Sequence, residues 1–536
     1  MNQCKKVSLV LAILLSSLHL IYPQHMDWSD LRTGKEKVGY KSCWEIDYSR
    51  VIVYNEKKIN RPIMINVWYP AKEYNDTSMP YKDYFDIESK RSILKKITND
   101  YKEYNLSVLS YQMIGKPVKN LNRIEKRALN NFLDQKITVK KDAILKEGKF
   151  PLIIYHQGFE ASFEDNALLA QFLASNGYVV IGSSFFKENT DKSLGIDGRE
   201  QSVQDIQFLI NYASKLENLD ISNIALIGHS GGAQASILAK SNTSNSIKAV
   251  VSIETTQETF GLSDPRWNNF TKPVLEQLSN VNGSILAFTN HKAVFQLYDL
   301  MSLSNRYYIT FPETLNHNEY ISQGIFSNHL NFEIKKNEQL NLSNQIDEIN
   351  EDRLNYIKVN NYTLDFIQWK LKGIKPLKET FKEDEYNKSI NLNLPFVQAV
   401  PIGKNSPISY SFNSNKLPTP RQVWKMVRSN NTDSLMFTLI QFKNIHSGNP
   451  IYNDIFAFAL ISQLIEEKKL DDARQLFSFY EKEKIPVTKR FISLGKFSIM
   501  LQNEDYAKRC FSNLLKLDSD NQEAKKELKR LKTKYN

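Results

Sequence analysis

The chain has 536 residues, 41% of them hydrophobic and 24% charged, with a formal net charge of +11. It is too long for one ordinary domain, so two or three are expected, and its apolar content excludes a collagenous or wholly disordered chain. Lys and Arg are interspersed with Glu and Asp, with no basic run interleaved by aromatics, so nucleic-acid binding is not expected.

Taken in order, residues 1–24 read as a signal peptide. Lys5-Lys6 precedes a mostly apolar run from Val7 to Ile21, and Tyr22-Pro23-Gln24 follows. Ser16, Ser17 and His19 interrupt that run, which is short for a membrane span. The expectation is therefore an exported protein, periplasmic or secreted, with no integral span after signal removal. The cleavage region lacks a small-x-small triplet, which leaves an uncleaved anchor as the alternative. Cys43 and Cys510 remain on the mature chain in different expected domains, so no structural disulfide is predicted.

A first domain is expected over 25–375. Alternation over Trp44–Tyr48 and Arg50–Tyr54, a polar turn at Asn55–Asn60 and a return over Arg61–Pro70 predict antiparallel edge strands. Residues 85–148 have helical spacing and no strand run. They read as a helical insertion, bordering a site mouth or simply solvated. Phe150–Phe159 predicts a strand that turns at Gly158. A helix over Asn166–Asn176 and a strand over Gly177–Gly182 complete a parallel βαβ unit. The stripe Ile206, Leu209, Ile210, Ala213 predicts a helix over Val203–Leu216. Further strands are expected at Ile224–Gly228, Ala249–Ile253, Ser284–Thr289 and, as the last, Tyr307–Phe311. An amphipathic helix over Tyr362–Leu371 closes the domain. The fold class is α/β, a mostly parallel sheet flanked by helices, with an all-α C-terminal domain.

Residues 376–420 read as a linker, punctuated by Asn and Pro without periodicity, and 421–536 as helical. Leu470-Asp471-Asp472-Ala473 to Phe477 is echoed by Glu504-Asp505-Tyr506-Ala507 to Phe511. The offset, 507 − 473 = 34, is the tetratricopeptide period. Ala473 and Ala507 would let paired helices approach, with Phe477 and Phe511 filling the groove. A generic helical hairpin pair is the plainer reading. Such repeats would dock a peptide or protein partner.

The stretch that carries chemistry is Ile224 to Ala233. An apolar run ends in Gly228-His229-Ser230-Gly231-Gly232, and a helix-forming segment follows. Gly-x-Ser-x-Gly between a strand and a helix is a nucleophile elbow: the glycines remove side chains that would collide across the tight turn, exposing the serine. A glycine-rich turn with a buried serine is the plainer reading. Ser230 needs a base and an acid that orients the base.

The elbow resembles that of α/β-hydrolases, and this implies a histidine on the loop after the final strand. His317 in Phe311–Glu319 stands there. The usual acid position, after Phe288-Thr289, holds no carboxylate. One strand earlier Ser252-Ile253-Glu254 ends in one, so Glu254 is assigned and Glu258 kept in reserve. The oxyanion donors implied are the backbone N–H groups of Gly231 and Phe159, with Gly158 making the turn.

Arg61 to Ala71, with Val67-Trp68-Tyr69-Pro70, and Gly-His-Ser-Gly-Gly resemble the platelet-activating-factor acetylhydrolase and dienelactone-hydrolase-like branch over about residues 40–375. An acid one strand early also looks like the acetylhydrolase arrangement. Two departures stand out: Gln157-Gly158 where that branch has His-Gly, and Glu254 where it has aspartate. The resemblance implies a serine carboxylesterase with a Ser230–His317–Glu254 triad, acting on a small, short-acyl ester substrate. It implies no cofactor and no metal. The competing expectation is a catalytically inert platform that binds partners through its helical repeats.

Overall fold

The computed structural model describes residues 29–533, apart from 75–78, 88–91, 159–160, 184–195, 243–245, 255–280, 282, 290–303, 312–314, 337–342, 377–395, 400–422, 424–425, 428–431, 446–453, 467 and 501–503. The chain divides into two units, 1–251 with 318–376, and 252–317 with 377–536. The signal stretch at 1–24 lies outside the described residues.

The first unit opens with a long hairpin of β1 (Lys37–Tyr54) and β2 (Lys57–Ala71), paired antiparallel from Lys37↔Ala71 to Tyr54↔Lys57. Its turn is only Asn55-Glu56, both at positive φ (47° and 64°). That suits a two-residue hairpin turn matching the strand twist, so the six-residue polar turn expected at 55–60 is mostly strand. The two segments expected over 44–54 are one strand with a register shift between Asp47 and Val51. Charge pins this irregularity. Arg50 Nε donates to Asp47 Oδ2 at 2.6 Å and its Nη2 pairs with Asp205 Oδ1 at 2.6 Å. Arg61 meets the same Asp205 through two bonds of 2.8 and 2.5 Å, and both residues are buried.

The insertion holds β3 (Met79–Pro80), α1 (Ser92–Ile114), α2 (Arg123–Leu133), β4 (Lys136–Ile137) and β5 (Lys140–Lys141). A capping box starts α2: the Asn122 side chain accepts from the Glu125 N–H, and the Glu125 carboxylate accepts from the Asn122 N–H. Then come β6 (Phe150–His156), α3 (Ala167–Ser175), β7 (Val179–Gly182), α4 (Ile196–Ala213), β8 (Leu219–His229), α5 (Gly231–Asn242) and β9 (Ile247–Ile253). The strand order in this unit is β9-β8-β6-β7-β2-β1-β5. β6 runs parallel to both β7 and β8, while β2 meets β7 antiparallel. The apolar runs Leu152–Ile154 and Ile224–Ile227 are buried throughout, as strands covered on both faces require.

The second unit carries β10 (Gly283–Thr289), β11 (Ser304–Thr310) and β12 (Phe396–Ala399), parallel in that order. Thus Tyr307–Phe311 is not the last strand, and the stretch expected to be a linker contributes one. Four residues directly after Pro395 are too few to show a strand period. Back in the first unit, α6 (Ser322–Lys336) was not expected, and α7 (Ser343–Lys372) begins well before Tyr362.

The remaining helices are α8 (Thr432–Ile445), α9 (Asp454–Glu466), α10 (Leu470–Lys482), α11 (Val487–Met500), α12 (Glu504–Leu517) and α13 (Gln522–Thr533). Their core includes Ala473, Phe477, Ala507 and Phe511, the residues related by the 34-residue offset. A Cβ on Gly495 would lie 2.5 Å from the Phe511 ring, so α11 and α12 touch where only glycine fits.

Candidate active site

β8 delivers Ser230 into a turn of one residue before α5 begins. Ser230 has φ +52°, a left-handed conformation that costs a non-glycine residue about 1–3 kcal/mol and persists only when its surroundings impose it. Here the surroundings do. A Cβ on Gly228 would lie 2.3 Å from the Gly232 carbonyl oxygen, and one on Gly232 would lie 2.3 Å from the carbonyls of both His156 and Gln157. The Ser230 carbonyl accepts from the N–H groups of Ala233 (3.1 Å) and Gln234 (3.4 Å) and so starts α5. Gly231 is the first residue of that helix, where backbone N–H groups lack intrahelical partners and the helix dipole is positive.

The turn after β6 lies directly against Ser230. A Cβ on Gly158 would meet His229 Nδ1 at 3.0 Å and the Ser230 Cβ at 3.5 Å. Gln157, standing where a histidine is usual, is buried, and its backbone carbonyl accepts from His156 Nδ1 at 2.8 Å. Phe159, the other expected oxyanion donor, lies outside the described residues.

In the second unit Glu254 caps the end of β9 at φ +47°, with its N–H donating to the Phe288 carbonyl at 2.8 Å. Its buried carboxylate oxygen Oε2 accepts a hydrogen bond from His317 Nδ1. His317 opens a short 3₁₀ turn, His317–Tyr320, and its side chain remains 31% exposed. A carboxylate on Nδ1 fixes the tautomer and leaves Nε2 as the other ring nitrogen. Glu254 and His317 are thus brought together. The reserve acid Glu258 lies outside the described residues. Among the described residues no group of three or more His, Cys, Asp or Glu could hold a metal ion.

One cluster escaped the sequence reading. Glu164 and Asp165 are fully buried in the loop between β6 and α3. Asp165 Oδ1 accepts from Tyr155 OH at 2.5 Å, and Oδ2 from the Gly158 N–H at 3.4 Å. The Ser162 hydroxyl bonds Glu164 Oε1. Burial pushes Glu164 up to about 8 and Asp165 up to about 7. The only sequence signal was adjacent acids in a loop otherwise rich in small and apolar residues, and that pattern ordinarily means solvent exposure.

An antiparallel leading pair, parallel strands in crossed-over order and a strand–serine–helix elbow define an α/β-hydrolase fold, and an all-helical region accompanies it. No protein-family model matches the chain, and no curated protein matches it. Among solved structures it is similar to a ferulic acid esterase from Streptomyces cinnamoneus, at 14% identity and a TM-score of 0.43, over 66% of this chain and 95% of that one. It is also similar to DcsB in complex with a substrate analogue, at 18% identity, TM-score 0.22 and coverage of 27% and 72%. A third neighbour is the hypothetical protein PA2218 from Pseudomonas aeruginosa, at 12% identity, TM-score 0.24 and coverage of 47% and 56%. At these identities and TM-scores none of the three bears on activity. No helix among the described residues is long and apolar enough to cross a membrane.

Proposed function

We propose that this chain is an exported serine hydrolase that cleaves short-acyl carboxylic esters, akin to the platelet-activating-factor acetylhydrolase and dienelactone-hydrolase-like branch. The observation that carries this reading is the buried Glu254 carboxylate bonded to His317 Nδ1, in a chain whose Ser230 is held at φ +52° on an elbow. Ser230 Oγ attacks the ester carbonyl while His317 Nε2 takes its proton. The N–H groups of Gly231 and Phe159 hold the developing oxyanion, and His317 returns the proton to the departing alcohol. Water then repeats the sequence on the acyl-enzyme and regenerates Ser230. Glu254 keeps the imidazole in its productive tautomer and stabilises the imidazolium. The C-terminal helices serve as a tetratricopeptide-like docking module for a peptide or protein, a reading supported by the buried Ala473 and Ala507 at matched positions.

The test is turnover of p-nitrophenyl acetate and butyrate by purified protein, with a fluorophosphonate probe mapped to its labelled residue. Turnover together with Ser230 labelling is expected. Absence of both would replace the enzyme with an inert binding platform.

A further inference from the structure

Three consecutive residues behind the glycine turn gather the surrounding elements of the first unit. Tyr81 OH, just ahead of α1, donates to the Glu164 carbonyl at 3.2 Å. The Asp165 carbonyl accepts from the Gln323 N–H at 2.8 Å and the Ser322 hydroxyl at 3.1 Å, both at the start of α6. Asn166 Oδ1 accepts from the Ser322 N–H at 3.1 Å and from Tyr356 OH of α7 at 2.6 Å. The Asp165 N–H donates to the Ser162 carbonyl at 3.0 Å and so closes the loop on itself. Within this knot only the Asp165 side chain reaches from the end of β6, at Tyr155, to the backbone of Gly158.

That reach has a chemical consequence. Gly158 is the residue whose Cα faces Ser230, and the Gly158 carbonyl also accepts from the Ala161 N–H at 3.3 Å. An oxyanion hole works only if the backbone around the nucleophile is fixed before charge develops, so a turn packed against Ser230 must be held from behind. A buried carboxylate costs free energy unless it accepts strong bonds, and a chain packed only for stability would place an apolar residue there. The bond to Gly158 is long for an N–H donor, at 3.4 Å.

We propose that Asp165 is a positioning residue for ester cleavage, gripping Gly158 from Tyr155 so that this glycine stays set against Ser230. It touches no substrate and acts through Gly158. The proposal rests on the esterase reading above.

The experiment compares full-length wild type with Asp165→Ala, Asp165→Asn and Tyr155→Phe on p-nitrophenyl butyrate, with thermal melting and active-serine titration by fluorophosphonate on each. Asp165→Ala is expected to lower kcat 10- to 100-fold per titrated serine while KM stays within about threefold, since the loss falls on the transition state. Asp165→Asn keeps an acceptor for the Gly158 N–H and can donate its amide N–H to the Tyr155 hydroxyl oxygen in place of the bond Tyr155 donated, and is expected to recover most of that loss. Tyr155→Phe, which leaves the fold least disturbed, is expected to lower kcat by about 3- to 10-fold. The proposal is overturned if wild type is active and Tyr155→Phe keeps full kcat. It is equally overturned if Asp165→Ala keeps kcat per titrated serine, or if its loss disappears once activity is normalised to titrated serine. Where Asp165→Ala does not fold, Tyr155→Phe and Asp165→Asn decide alone. A wild type that turns over no ester and takes no probe sinks the esterase reading instead, before any variant is compared.

Discussion

At the scale of single residues, Ser230 and Glu254 share a left-handed backbone in a chain where few non-glycine residues adopt one, and both close a strand. On the proposed esterase reading, Glu254→Gln keeps the shape of the acid but loses its charge and its hold on the His317 tautomer. A fall in kcat of about 10⁴-fold with an unchanged melting curve is expected, the size seen when a triad acid is neutralised. The buried pair Glu164–Asp165 makes a separate prediction. Its carboxyls are raised to about 8 and about 7, so the folded state keeps protons that the unfolded chain has already released above about pH 5. Stability therefore falls as pH rises through that window. Buried His329, lowered to about 4, opposes this only below its ordinary 6.5, and Lys370, lowered to about 8, opposes it only above that. Between pH 6.5 and 8 the carboxyls dominate. The melting temperature should drop by a few degrees across that interval, and Glu164→Gln should flatten the trend. Ser230 was legible because its elbow is encoded within five residues. Glu254 and His317 were legible as a charge ending an apolar run and a histidine after a strand. The Asp165 knot was not, because its partners at positions 81, 322, 323 and 356 carry no local pattern.

At the scale of elements, the most consequential joint in the first unit is Asp205 of α4 against Arg61 of β2 and Arg50 of β1. Arg61 is 2% exposed, so Asp205→Ala would leave a buried guanidinium without its bidentate partner. A loss of about 3–5 kcal/mol is expected in urea unfolding. Arg61→Met in the same background should recover part of it, because the second change removes the stranded charge. In the helical region Gly495→Ala would push a methyl into the Phe511 ring, at an expected cost of about 1–3 kcal/mol. Phe511→Leu in that background should relieve it, which a double-mutant cycle would read as favourable coupling. Elements with a sustained period, such as β6, β8 and the helix pair α10 and α12, were evident in the sequence. The Asn55-Glu56 turn was misjudged because Glu is uncommon at positive φ, and the first half of α7 because Asn and Glu mask its apolar stripe.

At the scale of the whole molecule, β12 changes where the chain can be divided. A boundary near Pro376 looks natural from composition, yet it would remove Phe396–Ala399 and strip β11 of a parallel partner. Truncation after about residue 420 is expected to retain near-wild-type turnover of a small ester. Truncation after 376 is expected to aggregate, since an uncovered strand edge is a template for pairing. Light scattering alongside the esterase assay separates the two outcomes. The same strand also sets an order of events during synthesis. Tyr307 is already paired with Leu286 of β10, but its second neighbour arrives only when Phe396 has been made, a wait that slows any strand pairing between distant segments. Every residue of α8–α13 comes later in the chain than Ala399. The sheet can therefore close while the tail is still being translated, for an interval of roughly 7–27 seconds at ordinary elongation rates. The helices then form with the sheet strands upstream of them already made.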